Sequence, residues 1–327
     1  MLTTTKLLAA IDAFVDKHRK DEQRRHLGAS SIGDSCERRI WFRWRWFAKE
    51  NFDARLKRLF WRGHRTEGYV FEMLRGAGLT IDSAGEDGEL KEALRVSFCD
   101  GHFGGTPDGI IRDGLPDLPP KTPALLEIKT HNANQFAQLE KKGVARMFPK
   151  YMAQMNIYMK GHNLKWALYV GVCKNDDSIY LELIPANEAL FKFYIERAKK
   201  IIGATHPPEG VAEEPSYYEC KWCSFHSICY DNKPPLRNCR TCQFARPRPF
   251  GEWGCTLNRR EITHQQGCPA YQLNPSFKCQ SHRPHHRPSA VPPPPPPAIR
   301  RTVKLPPGKG SSSLLSPVIH ALLHPRK

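Results

Sequence analysis

Leu125-Leu126-Glu127-Ile128-Lys129-Thr130 sets a carboxylate and an ammonium two residues apart inside an apolar run. Along a strand, the period of two places Glu127 and Lys129 on one face and Leu126 and Ile128 on the other. Charged side chains are seldom buried unless they are paired or bound to metal, so an acid and a lysine projecting together from a core strand mark a candidate site. The competing reading is an edge strand with one solvated face. The surrounding chain has to decide between the two.

Immediately upstream, Gly101-His102-Phe103-Gly104-Gly105-Thr106-Pro107-Asp108-Gly109-Ile110-Ile111 passes from glycine-punctuated chain into branched apolar residues, the pattern of a strand closely approached by another element. Asp108 sits where the apolar run begins, and a proline-rich loop from Pro116 to Pro123 joins it to the Glu127 strand. An aspartate and a Glu-x-Lys on successive strands of an antiparallel meander make a metal pocket geometrically natural. Downstream, helical patterns cover 133–143 and 148–161, and in the second Gln154 and Tyr158 share a face. Strands are expected from Lys165 to Val172 and from Ile179 to Ile184, then a helix from Asn187 to Ile202.

Toward the N-terminus, residues 4–20 read as an amphipathic helix, and a helix starting near Cys36 runs to Phe47 with three tryptophans and four arginines. Its aromatics suit either core packing or base stacking, and Arg39, Arg43 and Arg45 are candidate phosphate contacts. A longer helix from Phe52 to Ala77 carries His64 and Glu67 three residues apart. Short strand-like runs with turns at Gly85 and Gly88 fill Leu79 to Phe98. Helix, meander, helices and strands in this order predict an α/β fold with a central mixed sheet flanked by helices.

The chain of 327 residues, with 50 Lys+Arg against 33 Asp+Glu and a net charge of +17, points to a polyanionic partner. It contains no apolar run of 18 residues, and the Leu7–Ile11 patch is interrupted by Asp12, so neither a membrane span nor a secretory signal is expected. Cytoplasmic localisation follows as an expectation. Eleven cysteines without an export signal, most of them near the C-terminus and four of those in Cys-x-x-Cys units, favour metal or cluster ligation over disulfides.

Four pieces in order resemble the PD-(D/E)XK nuclease superfamily: a helix with His64, Gly105-Thr106-Pro107-Asp108-Gly109, Glu127-Ile128-Lys129, and Gln154-x-x-x-Tyr158. More narrowly they are similar to its RecB-like branch, which includes CRISPR-associated exonucleases and the AddB nuclease domain, over about residues 30–235. The resemblance implies that Asp108, Glu127, the Ile128 backbone carbonyl and His64 hold Mg²⁺ or Mn²⁺, hard cations that favour oxygen. Lys129 would orient the attacking water or stabilise developing charge, and Gln154 and Tyr158 would contact phosphate or brace the site. Glu67 is a second candidate for the same pocket.

Cys220-x2-Cys223-x5-Cys229 lacks a fourth ligand, and Cys36 is similar to the distant N-terminal cysteine of the branch's iron–sulfur members. The four thiolates suit a [4Fe–4S] cluster, with tetrahedral zinc as the rival. Cys99 and Cys173 fall in strand-like runs and read as inert core residues.

Beyond the resemblance, Cys239-x2-Cys242-x12-Cys255-x12-Cys268 is a self-contained set, most simply a Zn²⁺ module, with a second cluster or a ligand swap to His264 or Cys279 as alternatives. Arg246, Arg248, Arg259 and Arg260 mark that module as a nucleic-acid contact. The expected organisation is an N-terminal helix in 1–30, a nuclease domain in 31–235, the cysteine module in 236–279 and a disordered proline-rich basic tail in 280–327.

The function this implies is a metal-dependent DNA exonuclease acting on single strands or DNA ends, in recombination, repair or phage DNA metabolism. Protein partners would include recombination proteins, and some relatives form rings. The alternative is an inactive nucleic-acid-binding or scaffold protein on the same fold.

Overall fold

The structure is a computed structural model of the chain and describes residues 4–18, 23–83, 88–262, 267–277, 292 and 299–302. Gly85, His264, Cys279 and most of the expected tail lie outside the described residues.

Helices α1 (Thr4–His18), α2 (Glu37–Trp44) and α3 (Ala54–Gly76) open the chain, with the short strand β1 (Leu27–Gly28) between α1 and α2. Asp53 caps α3 by accepting from the Leu56 amide, and Cys36 stands at the N-cap of α2, where its sulfur accepts from the Arg39 amide. Strand β2 (Thr80–Ser83), helix α4 (Gly88–Ala93) and strands β3 (Val96–Phe98), β4 (Phe103–Gly105), β5 (Gly109–Asp113) and β6 (Ala124–His131) follow. Helices α5 (Ala133–Lys142), α6 (Val144–Met147) and α7 (Pro149–Gly161) then cross to β7 (Trp166–Cys173), β8 (Ile179–Pro185) and α8 (Glu188–Gly203).

The last part holds α9 (Tyr218–Lys221), α10 (His226–Tyr230) and a small antiparallel sheet of β9 (Ala245–Pro247), β10 (Trp253–Cys255) and β11 (Arg260–Glu261). Strand β12 (Ile299–Thr302) pairs antiparallel with β8, so these four residues of the expected tail are ordered into the sheet edge.

The principal sheet runs β12-β8-β7-β6-β5-β2, and it is mixed: β6 pairs parallel with β7 and antiparallel with β5. The α5–α7 crossover makes the parallel pairing possible. β6 is therefore interior, and the edge-strand reading of Glu127 falls. Alternation sends Leu126 and Ile128 into an apolar layer with Val70 and Phe71 of α3, while Leu125 packs with Ile110, Met155 and Tyr158 on the α7 side. Leu126 is fully buried, so truncating it to alanine would cost about 2–5 kcal/mol.

The described residues of the expected cysteine module pack onto the core of the rest of the chain. Cys242, Ala245, Trp253 and Phe277 belong to the same core as Trp41, Trp44 and Phe47. The Trp41 and Phe277 rings meet edge to face with centroids 5.0 Å apart. All three tryptophans of the Cys36–Phe47 stretch are buried, which settles their packing role. Among the described residues, no helix is long and apolar enough to cross a membrane.

Candidate active site

The sheet opens where β5 begins. Pairing of β5 with β6 ends at Gly109–Leu126, whereas β6 and β7 stay paired as far as His131–Cys173. Asp108 occupies this opening, and its Oδ2 accepts the Ile128 amide at 2.8 Å. Lys129 Nζ lies 3.6 Å from Asp108 Oδ2, donates to the Ile128 carbonyl at 3.0 Å and pairs with Glu127 Oε1. Glu127 is 0% exposed, and beyond that ion pair its carboxylate oxygens have no hydrogen-bond partner among the described residues. A buried carboxylate with vacant lone pairs is costly unless something else uses them.

The electrostatics express that cost. Burial first, then the proximity of Asp108 and Glu67, pushes the Glu127 carboxyl up to about 8 against the pull of Lys129. Asp108 is raised for the same reasons, with burial the largest and Lys129 opposing. Burial also disfavours the Lys129 ammonium, but Asp108 and Glu127 outweigh it and hold Lys129 firmly protonated. One cation thus faces two carboxylates, a charge balance that favours further positive charge.

Helix α7 closes the pocket. Gln154 and Tyr158 are both buried on it, one turn apart. Burial and the nearby Glu127 and Asp108 charges raise the Tyr158 phenol, keeping it a protonated donor. A β-carbon on Gly105, at φ +155°, would come within 2.7 Å of the Tyr158 hydroxyl, so only glycine lets β4 approach this closely.

Two neighbours escaped sequence reasoning. Tyr151, on the first turn of α7, sets its ring 5.6 Å from Lys129 Nζ. His131 continues the Glu127-x-Lys129 alternation on the same face; its Nε2 meets the Tyr169 hydroxyl at 2.6 Å and its ring stacks on Phe148 at 4.7 Å. Burial, then Lys174, Lys129 and Lys150, takes the His131 imidazole down to about 4, so it is neutral. The period of two was the signal that could have found it.

Helix α3 carries both Glu67 and His64. Glu67 raises both site carboxyls, whereas the His64 side chain is 71% exposed and meets Glu67 at 3.5 Å. The proposed arginine contacts also change. Arg45 is buried against Trp41, Trp44, Trp253 and Phe277, which removes it from any phosphate-binding surface. Arg39 is paired with Asp34 and, at 3.1 Å, with Glu219, and Arg43 is bidentate on Glu50 at 2.8 Å.

Cys36, Cys220, Cys223 and Cys229 line one cavity, despite nearly two hundred residues of separation, and Cys239, Cys242, Cys255 and Cys268 line another. Among the described residues no three His, Cys, Asp or Glu side chains stand in preformed ligand geometry. The cysteine sets converge without being assembled. Cys173 is buried, as expected of a core thiol, while Cys99 sits outside β3 in a turn at φ +51°.

No family model and no curated protein matches the chain. Solved structures give distant likenesses. The alkaline exonuclease LHK-Exo from Laribacter hongkongensis aligns at 16% identity and a TM-score of 0.40, over 59% of this chain and 90% of its own. The same exonuclease in complex with dAMP aligns at 16% and 0.39, over 57% and 90%. The protein SSO0001 aligns at 16% and 0.43, over 70% and 98%. At such identities and scores, the reading of the site rests on its own side chains.

Proposed function

We propose that the chain is a metal-dependent DNA nuclease of the PD-(D/E)XK kind, an exonuclease releasing nucleotides from single strands or DNA ends. The observation that carries this reading is the convergence of Asp108, Glu127, the Ile128 carbonyl and Lys129, in which the buried Glu127 has, apart from its ion pair with Lys129, no hydrogen-bond partner among the described residues. An all-oxygen donor set beside a lysine suits Mg²⁺ or Mn²⁺. Asp108, Glu127 and the Ile128 carbonyl would hold the ion, with Glu67 contributing negative charge from α3 in the place the sequence pattern gave to His64. Bound there, a divalent ion supplies Lewis-acid polarisation of the scissile phosphodiester.

Lys129, kept protonated, orients a water and meets the negative charge that develops on the phosphoryl oxygens. Tyr158 donates its phenolic proton toward the same space, and Gln154 braces it from the preceding turn. Burial of the site excludes competing water and strengthens each of these interactions. A [4Fe–4S] cluster on Cys36, Cys220, Cys223 and Cys229 would tie α9 and α10 to the start of α2, and Zn²⁺ on the second cysteine set would fix the β9–β11 sheet.

The test is nucleotide release from 5′- and 3′-end-labelled single-stranded and duplex DNA with Mg²⁺ or Mn²⁺. Asp108→Ala should abolish release and Lys129→Ala should lower it by about 10²–10³-fold. Undiminished release by either variant overturns the assignment. Four irons per chain and absorbance near ~400 nm identify the cluster, whereas a colourless zinc protein refutes it.

A further inference from the structure

We infer that the hairpin joining β9 to β10, Arg246-Pro247-Arg248-Pro249-Phe250-Gly251-Glu252, is a single-stranded nucleic-acid contact in which Phe250 stacks on a base and the arginines meet phosphates. Phe250 is 89% exposed and holds φ +63°, ψ 25°. A bulky side chain in that region is strained, and a large apolar ring in water gains nothing for the fold. The surrounding exposed residues are Arg248, Pro249 and Glu252 rather than an apolar patch, which disfavours a protein-docking face.

The ring is mounted rigidly. The Gly251 amide donates to the Asp100 carbonyl at 2.7 Å, and the buried His102 Nε2 meets the Arg248 carbonyl at 2.6 Å. Gly101, at φ +87°, has no room for a β-carbon, which would sit 2.4 Å from the Gly251 nitrogen. The hairpin tip is thus fixed to the turn before β4 by backbone contact, so the backbone that carries Phe250 has little freedom left to lose on binding.

Charge complements the ring. Register places Arg246 opposite Gly254 on the outer face, Arg248 two residues on shares that face, and the Arg248 guanidinium lies across Gly254. Arg246 spends one nitrogen on the Gln243 and Ala245 carbonyls at 2.7 and 2.8 Å. Exposed Arg259 and Arg260 add to the module, against Glu252 and Glu261. A phenylalanine offers a π-face without hydrogen-bond readout, so it suits unpaired bases of any sequence rather than a duplex, whose base faces are already stacked.

The mount also fixes the relation to the candidate active site. Seven residues separate Gly101 from Asp108, so the two are at most about 25 Å apart. With roughly 10 Å more from Gly101 to the Phe250 ring, a strand held there is within roughly ten stacked nucleotides of Asp108, at ~3.4 Å each. The choice of polymer rests on the nuclease reading.

The test uses the full chain, fluorescein-labelled oligo(dT) or oligo(rU), and fluorescence anisotropy in buffer without divalent ions, so that binding is read apart from hydrolysis. Phe250→Ala should weaken binding roughly 5- to 150-fold with an unchanged salt slope, and Phe250→Trp should retain it. Arg246→Ala with Arg248→Ala should lower the slope of log affinity against log salt by about 1.4. Affinity unchanged in Phe250→Ala, or lost equally in Phe250→Trp, overturns the inference. If wild type binds through Phe250 but releases no nucleotide with metal added, the nuclease reading fails while the hairpin contact stands.

Discussion

Replacing Glu127 by glutamine should stabilise the protein while destroying its metal site. The carboxyl is fully buried and its pKa rises from 4.5 to about 8, so the ionised form costs about 5 kcal/mol above that pH. The sign follows from linkage: a folded value above the unfolded one means that stability is intact below pH 4.5 and lost as pH rises through about 8. Glutamine is neutral throughout, so its advantage is nil near pH 4.5 and greatest above pH 8.

Part of that advantage is offset. The amide brings donors that the pocket does not satisfy, a cost of about 1–3 kcal/mol, leaving a net gain of about 2–4 kcal/mol at alkaline pH. For a domain of this size that is a melting-temperature rise of several degrees. The assay is calorimetry of both proteins at pH 5 and 8.5, with and without added Mn²⁺. Mn²⁺ should raise the wild-type midpoint by mass action and leave Glu127→Gln unmoved. No pH-dependent gain in the variant, or equal Mn²⁺ stabilisation of both, would refute the buried-carboxylate account.

His131 should give the opposite pH slope. Its folded value of about 4 lies below the usual 6.5, so about 3 kcal/mol of stability present above pH 6.5 is lost as pH falls toward 4; in His131→Phe, calorimetry should show that this acid sensitivity is gone. Gly105→Ala forces a β-carbon against the Tyr158 hydroxyl and should cost about 1–3 kcal/mol, read from urea midpoints, with a drop in nucleotide release. Trp253→Ala should cost about 3–5 kcal/mol and shift one cooperative transition rather than melt a separate module, because Trp253 shares a core with Trp44. Arg45→Met, which replaces a buried arginine lacking a carboxylate partner, should leave the salt dependence of DNA binding unchanged; a shallower slope would return Arg45 to the phosphate surface.

Much of the fold was legible because it is written in short-range periodicity. The alternation around Glu127 and the 3.6-residue patterns of α3, α7 and α8 located those elements to within a few residues. The candidate site came from the resemblance carried by Asp108, Glu127, Lys129, Gln154 and Tyr158; periodicity fixed the facing of the last four, which lie on β6 and α7, whereas Asp108 precedes β5. What periodicity cannot report is which long-range partner receives an exposed-looking residue. Arg45 read as a surface cation, yet Trp253 and Phe277 from distant segments join Trp41 and Trp44 of its own helix to enclose it. His64 and Glu67 share a helix face, but only the packing of α3 on the sheet decided that the Glu67 charge is felt by the carboxylates. The opening between β5 and β6 arises from their register and from the parallel partner β7, and no local pattern encodes it. Sequence determined that Glu127 and Lys129 face one way together; tertiary structure decided that they face a buried, under-satisfied pocket, because only the assembled sheet and α7 remove water from both sides.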